Sequence, residues 1–307
     1  MTDVLKAVVG SMRPPFLLLT PVCVSIGFST ALYLHGEMDT ELGGLVLLAS
    51  LMAHISTNTL NEFLDYGSGL DLVTQKTPFS GGSGSIPKVP QAKMAVLVVA
   101  LLSLCITVAT GLYLSLLKGW PLLLIGLAGV MLIVLYTRII NRRPWLCLIS
   151  PGMAFGPMFV LGAYISVTEI ENMDAHSVLV VGAASLLPFF LVNNLLLLNQ
   201  IPDVEADSLV GRVTIPVRYG LKATARIYLS GIILACLSIA AGILLGLLPV
   251  ACLFILPLLA VGARIYTGLM SSHFRLPEIL PFLGINVLIT LTANALLAVV
   301  LATVKYV

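Results

Sequence analysis

Charge is what this chain most lacks. Of its 307 residues only 10% are Asp, Glu, Lys or Arg, the formal net charge is +2, and 59% are hydrophobic. At a mean hydropathy of +1.07, the apolar surface exceeds what a water-soluble globule of this length can bury. The near-neutral total hides a sided asymmetry, set out below, that concerns the membrane and any anionic ligand at its inner face rather than nucleic acid. Soft ligands are equally scarce. Five cysteines (Cys23, Cys105, Cys147, Cys236 and Cys252) show no paired spacing, and no His or Cys stands at a zinc spacing near the acidic clusters. The cysteines read as ordinary buried residues. No stretch reads as a cleavable leader either: the first apolar run begins after Pro14-Pro15 without a convincing small-residue cleavage site before Glu37, so that run is expected to be retained.

What is present is a series of apolar runs long enough to cross a bilayer. Nine spans are expected, near 16–35, 43–62, 93–115, 120–138, 145–166, 176–199, 222–245, 248–268 and 280–303, the third and fourth joined by the tight Lys118-Gly119-Trp120 connection. The fold class is therefore an all-α membrane protein, with residues 1–307 forming one domain. Only two connections are long, 63–92 and 200–221, and they are expected to roof a site.

The few charges are sorted by side. Lys6, Arg13, Lys76, Lys88, Lys93, Arg138, Arg142, Arg143, Arg212, Arg218, Lys222, Arg226, Arg264 and Arg275 fall on one side of the nine-span arrangement, and only Lys118 and Lys305 on the other. The opposite loops are acidic, with Glu37, Asp39, Glu41, Glu169, Glu171 and Asp174. By the positive-inside rule the basic side and the N-terminus are cytoplasmic, as expected for a multi-pass protein of a prokaryotic inner membrane.

Both long loops open on carboxylates. Asn61-Glu62-Phe63-Leu64-Asp65 is followed by Gly69 and Asp71, and Asn199-Gln200-Ile201-Pro202-Asp203 by Glu205 and Asp207. Carboxylates beside a bilayer are expensive, so a repeated pattern of this kind points to a shared cation site. Asn58, Asn61 and Asp65 are spaced i, i+3, i+7, and Asn199, Asp203 and Asp207 i, i+4, i+8, so each set shares a face if its span continues past the membrane edge. Pro202 is expected to kink the second helix near Leu198. Hard oxygen ligands suit Mg²⁺, and basic residues nearby suit a diphosphate. Solvated acidic helix ends are the alternative.

The segment from Asn61 to Asp71, N-E-F-L-D-Y-G-S-G-L-D, resembles the first motif of the UbiA superfamily of intramembrane prenyltransferases, N-D-x-x-D-x-x-x-(x-x)-D, in the longer spacing of its MenA-like branch. Asn199 to Gly220 is similar to that branch's second motif, and Met12-Arg13-Pro14, Tyr136-Thr137 and Gly156-Pro157 extend the resemblance along nearly the whole chain. It implies a nine-helix bundle with a cytoplasmic cap over a central cavity. It further implies two Mg²⁺ ions held by Asp65, Asp71, Asp203 and Asp207 with Asn61 and Asn199, and an isoprenyl diphosphate contacted by Arg13, Lys76, Arg138 and Arg212, with Tyr136 beside the substrates. The second substrate is an aromatic acceptor such as 1,4-dihydroxy-2-naphthoate, and no obligate protein partner is implied. Two positions depart from the pattern: Glu62 stands where Asp is usual, and Pro202 where Arg is frequent.

Other features divide between two readings. The Phe79–Ser85 run can cradle phosphate but lacks a P-loop ending, and a flexible linker suits it better. His54, Asn193, Asn194, Asn286, Thr290 and Asn294 are intramembrane polar groups that either line an acceptor pocket or bond helix to helix. A transporter is disfavoured because the carboxylates collect at one face rather than at the midplane. A terpene cyclase of the same superfamily shares the metal chemistry and stays open.

Overall fold

A computed structural model describes residues 2–169 and 173–304; Glu171 and Lys305 of the charge pattern lie outside the described residues. Those residues are helical almost throughout. In chain order the helices are α1 (Thr2–Ser11), α2 (Pro14–Leu17), α3 (Leu19–His35), α4 (Thr40–Ser68), α5 (Leu70–Val73), α6 (Ser85–Lys88), α7 (Lys93–Lys118), α8 (Trp120–Leu135), α9 (Pro144–Met153), α10 (Phe159–Val167), α11 (Ala175–Asn199), α12 (Val204–Leu209), α13 (Ile215–Tyr219), α14 (Leu221–Leu244), α15 (Leu256–Ser271) and α16 (Leu276–Thr303). Seven helical segments among the described residues are long and apolar enough to cross a membrane, or eight if the pair Asp3–Leu17 and Leu19–His35, bent by 40°, counts as one span. The fourth expected span, 120–138, is represented by α8, whose 16 residues make it a shorter apolar helix than the seven.

The start of the chain forms an element that sequence periodicity missed. In α1, Val8 packs with Ile86 of α6 and Val96 of α7. The chain then turns at Arg13, which adopts the left-handed conformation (φ 54°, ψ 62°) just before Pro14. A following proline disfavours the right-handed helical region, which accounts for the break. A left-handed non-glycine residue is strained, so its surroundings must hold it there.

α4 explains how the first motif reaches the site. Its 29 residues at a rise of about 1.5 Å make it about 43 Å long, against a hydrocarbon core of roughly 30 Å. The helix therefore continues past Asn61 and Asp65, as the shared-face reading requires. It starts at an N-cap in which Leu42 N–H donates to Asp39 Oδ1 at 2.9 Å and stops at Gly69, whose φ of 82° closes the C-cap. Nothing lies within 4 Å of where a Gly69 Cβ would sit. The glycine is needed for its conformation, which reverses the chain and turns Asp71 back into the protein.

The second motif is built differently from the expectation. α11 ends at Asn199, two turns follow, and α12 starts at Val204, so Asn199, Asp203 and Asp207 do not lie on one continuous helix. Pro202 has no N–H to donate and its ring crowds the carbonyl four residues back, so here it ends the helix instead of kinking it. The helical pattern closes with Gln200 N–H donating to Leu196 O at 3.2 Å and Ile201 N–H to Leu198 O at 3.0 Å, and restarts with Asp207 N–H donating to Asp203 O at 2.8 Å.

α11 and α16 are the most enclosed spans, half of each apolar window being buried. Leu187, Leu191, Leu197, Tyr228, Ile232 and Leu283 belong to the core around them. The polar residues of this region bond helix to helix. Gly152 N–H donates to Asn193 Oδ1 at 2.6 Å, Asn194 Nδ2 donates to Tyr228 O at 2.9 Å, and Tyr228 O–H donates to Asn286 Oδ1 at 3.1 Å. Thr290 and Asn294 donate along their own helix to Asn286 O and Thr290 O, each at 2.8 Å. The first of these bonds serves an interrupted stretch of helix: Pro151 and Pro157 lie within the span, which passes through a π-turn at Ala154–Met158.

Candidate functional site

One end of the bundle gathers both acidic segments. Along α4, Asn58 Nδ2 donates to Met12 O at 2.9 Å, Asn61 Oδ1 accepts from the Thr137 hydroxyl just after α8, and Asp65 Oδ1 accepts from Arg212. Arg212 NH1 lies 3.5 Å from Asp207 Oδ1. A single guanidinium thus joins the two motifs. The segment that carries it is fixed by Arg212 N–H donating to Asp207 O and Val213 N–H to Asn141 O, each at 2.9 Å.

Glu62 is fully buried and committed to protein partners. Its Oε1 accepts from Arg13 Nε at 3.0 Å and NH2 at 2.6 Å, and from Ser83 N–H at 2.6 Å, while Oε2 accepts from the Ser83 hydroxyl at 2.9 Å. This contact sets the strained Arg13. It also shows that the glycine-serine run is not a loose linker: Gly81 N–H donates to Asp203 Oδ2 at 3.2 Å, so residues 80–83 strap the first motif to the second. A Cβ on Gly82 (φ 70°) would sit 2.9 Å from Asp71 Oδ1 and 3.1 Å from Glu62 Oε1. Only glycine lets the strap lie this close to the carboxylates.

Beneath the strap lies a cavity of about 530 Å³, with Asn61, Asp65, Asp71, Asn199, Asp203, Asp207, Arg13, Arg212 and Tyr136 at its polar end and an apolar wall from α4, α7, α8 and the α9–α10 span. The structure therefore brings together nine of the residues picked out in the sequence. Two others are not among the residues lining the cavity: Arg138 is exposed, and Lys76 is exposed with its ammonium end against Gly84 at the edge of the strap. Arg138 falls outside because α8 ends at Leu135 and the chain turns outward after Thr137.

Several buried oxygens at the polar end have no hydrogen-bond partner: Asp71 Oδ2, Asn199 Oδ1, Gln200 Oε1, Asp203 Oδ1 and Thr214 Oγ1. Such an atom costs roughly 1–3 kcal/mol if left unpaired, so the set invites a cation or a donor. Gln200 and Thr214 were missed in the sequence because one polar residue in a loop has no distinguishing spacing. Burial, with Glu62 and Asp65 nearby, pushes Asp71 up to about 7. Burial raises Asp203 to about 6 against the opposing Gly81 N–H, and burial raises Asp207 to about 7 against the opposing charge of Arg212. No group of three His, Cys, Asp or Glu among the described residues is close enough to hold a metal as it stands. Arg212 stands between Asp65 and Asp207. Oxygen donors from both motifs nonetheless fit a hard divalent cation that bridges to an anion rather than one caged by protein alone.

Fold and site together define a polytopic helical membrane protein with an acidic, partly desolvated pocket at one end of an apolar cavity. Residues 18–275 match the UbiA prenyltransferase family, and the chain belongs to that family. Over 213 residues it is 32% identical to the 1,4-dihydroxy-2-naphthoate octaprenyltransferase of Bacillus subtilis (strain 168), a match that covers 68% of this chain and 65% of that protein. Among solved structures, a UbiA homolog from Archaeoglobus fulgidus bound to DMAPP and Mg²⁺ superposes with a TM-score of 0.61 at 17% identity, covering 95% of this chain and 99% of the other. The apo UbiA homolog from Aeropyrum pernix K1 gives 0.66 at 16%, covering 93% and 98%. At these identities the likeness concerns the fold.

Proposed function

We propose that the protein transfers an isoprenyl chain from an allylic isoprenyl diphosphate to an aromatic acceptor, of which 1,4-dihydroxy-2-naphthoate is the favoured example. The observation that carries this reading is the set of unpartnered oxygens contributed by both acidic motifs to one cavity. Asp65, Asp71, Asp203 and Asp207, with Asn61 and Asn199, hold Mg²⁺, expected as two ions. Mg²⁺ bound there would supply the positive charge that a departing diphosphate needs.

The chain's own residues do the rest. Arg212, between Asp65 and Asp207, and Arg13, held by Glu62, both line the polar end and would present their guanidinium forks to the diphosphate. The leaving group's charge is thus met by donors already in place. The apolar wall below keeps water from the allylic cation, so the electron-rich ring is the nucleophile within reach. Open backbone at Gly111 on α7 and at Gly126 and Gly129 on α8 gives the isoprenyl chain a route toward lipid.

We further propose nine spans, with α8 counted as one, a cap made by α5, α6, α12, α13 and the strap, and a cytoplasmic N-terminus and site in a prokaryotic inner membrane. The test incubates purified protein and Mg²⁺ with farnesyl or geranylgeranyl diphosphate and a panel of hydroxylated arenes, and identifies products by mass spectrometry. A product that needs the acceptor is expected. A hydrocarbon or terpene alcohol formed from the diphosphate alone would replace this reading with a cyclase.

A further inference from the structure

His54 is an ionisable residue in the interior of a spanning helix, and such residues are rare without a task. It shares the cavity-facing stripe of α4 with Asn58, Asn61 and Asp65. Eleven residues of helix put it about 16 Å deeper than Asp65. The imidazole is 9% exposed, and Nδ1 shares a 2.8 Å hydrogen bond with Oγ1 of the buried Thr20 on α3. Nε2 has no protein hydrogen bond, yet it is not one of the atoms sealed away without a partner, and the residue lines the cavity. The free nitrogen therefore opens on the cavity.

Its neighbours are aromatic. Phe155 meets the imidazole edge to face at 5.0 Å between centroids and 77°, and Phe159 continues the wall at 5.1 Å and 68° from Phe155. Helix-to-helix bonding explains Nδ1 but leaves Nε2 unused; Asn193 and Asn194 each give one amide atom to neighbouring backbone as well, but of the three only His54 lines the cavity. An isoprenyl tail in this place would strand Nε2 without a partner, an unfavourable arrangement. A flat hydroxylated ring satisfies both parts of the surface, the aromatic edges and the single polar nitrogen.

We infer that His54 is a specificity-determining residue for the aromatic acceptor: Nε2 hydrogen-bonds an oxygen substituent on the ring, Thr20 fixes the imidazole, and Phe155 packs against the ring. This inference rests on the prenyltransferase reading above. It assigns the acceptor to the pocket between α3, α4 and the α9–α10 span and leaves the α7–α8 side to the isoprenyl chain.

The test compares two variants that divide the imidazole's functions. The Gln amide reaches the Nε2 position, whereas the shorter Asn amide reaches only the Nδ1 position and can keep the Thr20 bond. Binding of 1-hydroxy-2-naphthoate, which does not autoxidise like a 1,4-diol, is measured by fluorescence quenching in full-length protein without Mg²⁺ or diphosphate. Geranyl diphosphate binding with Mg²⁺ is measured in parallel. Wild type is expected to bind the naphthoate saturably, His54→Gln within about threefold of it, and His54→Asn and His54→Phe about tenfold or more weaker, the scale of one lost buried hydrogen bond. Diphosphate binding should stay within about twofold throughout, the margin allowed to sites that do not touch. A purely structural histidine predicts the opposite order, with Asn tolerated and Gln not, and that order overturns the inference, as does unchanged naphthoate binding in all three variants. If wild type itself neither binds the naphthoate nor yields an acceptor-dependent product, the prenyltransferase reading fails along with it.

Discussion

The Arg212 guanidinium donates to Oδ1 of Asp65, 147 positions away in the chain, and its other terminal nitrogen lies 3.5 Å from Asp207. One side chain from the α12–α13 connection therefore stands where the two acidic motifs meet and keeps their charges apart. Removing it leaves two carboxylates facing one another in a partly dry pocket. Arg212→Gln is expected to lower the melting temperature of the metal-free protein and to raise the KM for the diphosphate about tenfold or more, the scale of a lost charge-assisted hydrogen bond. Unchanged melting together with unchanged KM would remove Arg212 from the site.

If Asp65 and Asp203 serve one bound ligand, they act as a unit. Asp65→Asn and Asp203→Asn should each cost on the order of two decades in rate, and the double variant should fall little further. Chelator should abolish turnover in wild type, and Mg²⁺ should restore it. Multiplying losses at unchanged diphosphate affinity would mean that only one motif binds substrate.

If metal binds at this site, protons should compete with it. Asp71 and Asp207 are pushed up to about 7 and Asp203 to about 6, above the value near 4 of an aspartate in the unfolded chain. Between those limits the folded, metal-free protein holds protons that the unfolded chain has released, so its stability is greatest below about pH 4 as far as these groups are concerned and declines as pH rises to about 7. Melting measured at pH 5.5 and 7.5 with EDTA should show the decline. Added Mg²⁺ should stabilise far more at pH 7.5, because it no longer has to displace protons. Equal Mg²⁺ stabilisation at both values would separate the cation from these carboxylates.

The strap depends on Gly82. A methyl group there meets Asp71 and Glu62 at about 3 Å in a backbone conformation unsuited to alanine. Gly82→Ala is expected to reduce kcat/KM for the diphosphate by about tenfold or more while the helical bundle stays folded, since only the strap has to move. Circular dichroism and steady-state kinetics check the two halves of this expectation, and full activity would show that the strap leaves the site during turnover.

Topology is tested with single cysteines in a background lacking the native five. Gln75 and Ser208 are exposed positions at the acidic end and Glu37 is exposed at the other. Cysteines at Gln75 and Ser208 should react with a membrane-impermeant thiol reagent in inside-out vesicles alone, and one at Glu37 in right-side-out cells. Labelling of Gln75 and Ser208 from opposite sides would contradict the shared site.

Composition and local pattern determined a good deal of this protein on their own. Scarce charge and long apolar runs made it a helical membrane protein because burial in lipid leaves the backbone few other choices. The spacing of Asn58, Asn61 and Asp65 placed them on one face because α4 runs on unbroken, and Gly69 marked the turn that brings Asp71 inward because so few residues accept its φ. Tertiary structure decided what depended on distant partners. Pro202 marked a disturbance, but whether it kinked or ended α11 was set by the turn that α12 required. Glu62 became the anchor of Arg13 and Ser83, and the glycine-serine run became a strap, only because α1, α4 and α6 pack together. Arg138 and Arg212 look alike as isolated basic residues; the loop geometry leaves one in solvent and lays the other between two carboxylates. The intramembrane polar groups divided the same way, Asn193, Asn194 and Asn286 into helix contacts and His54 onto the cavity, because only packing fixes which face of a helix meets a neighbour and which meets space.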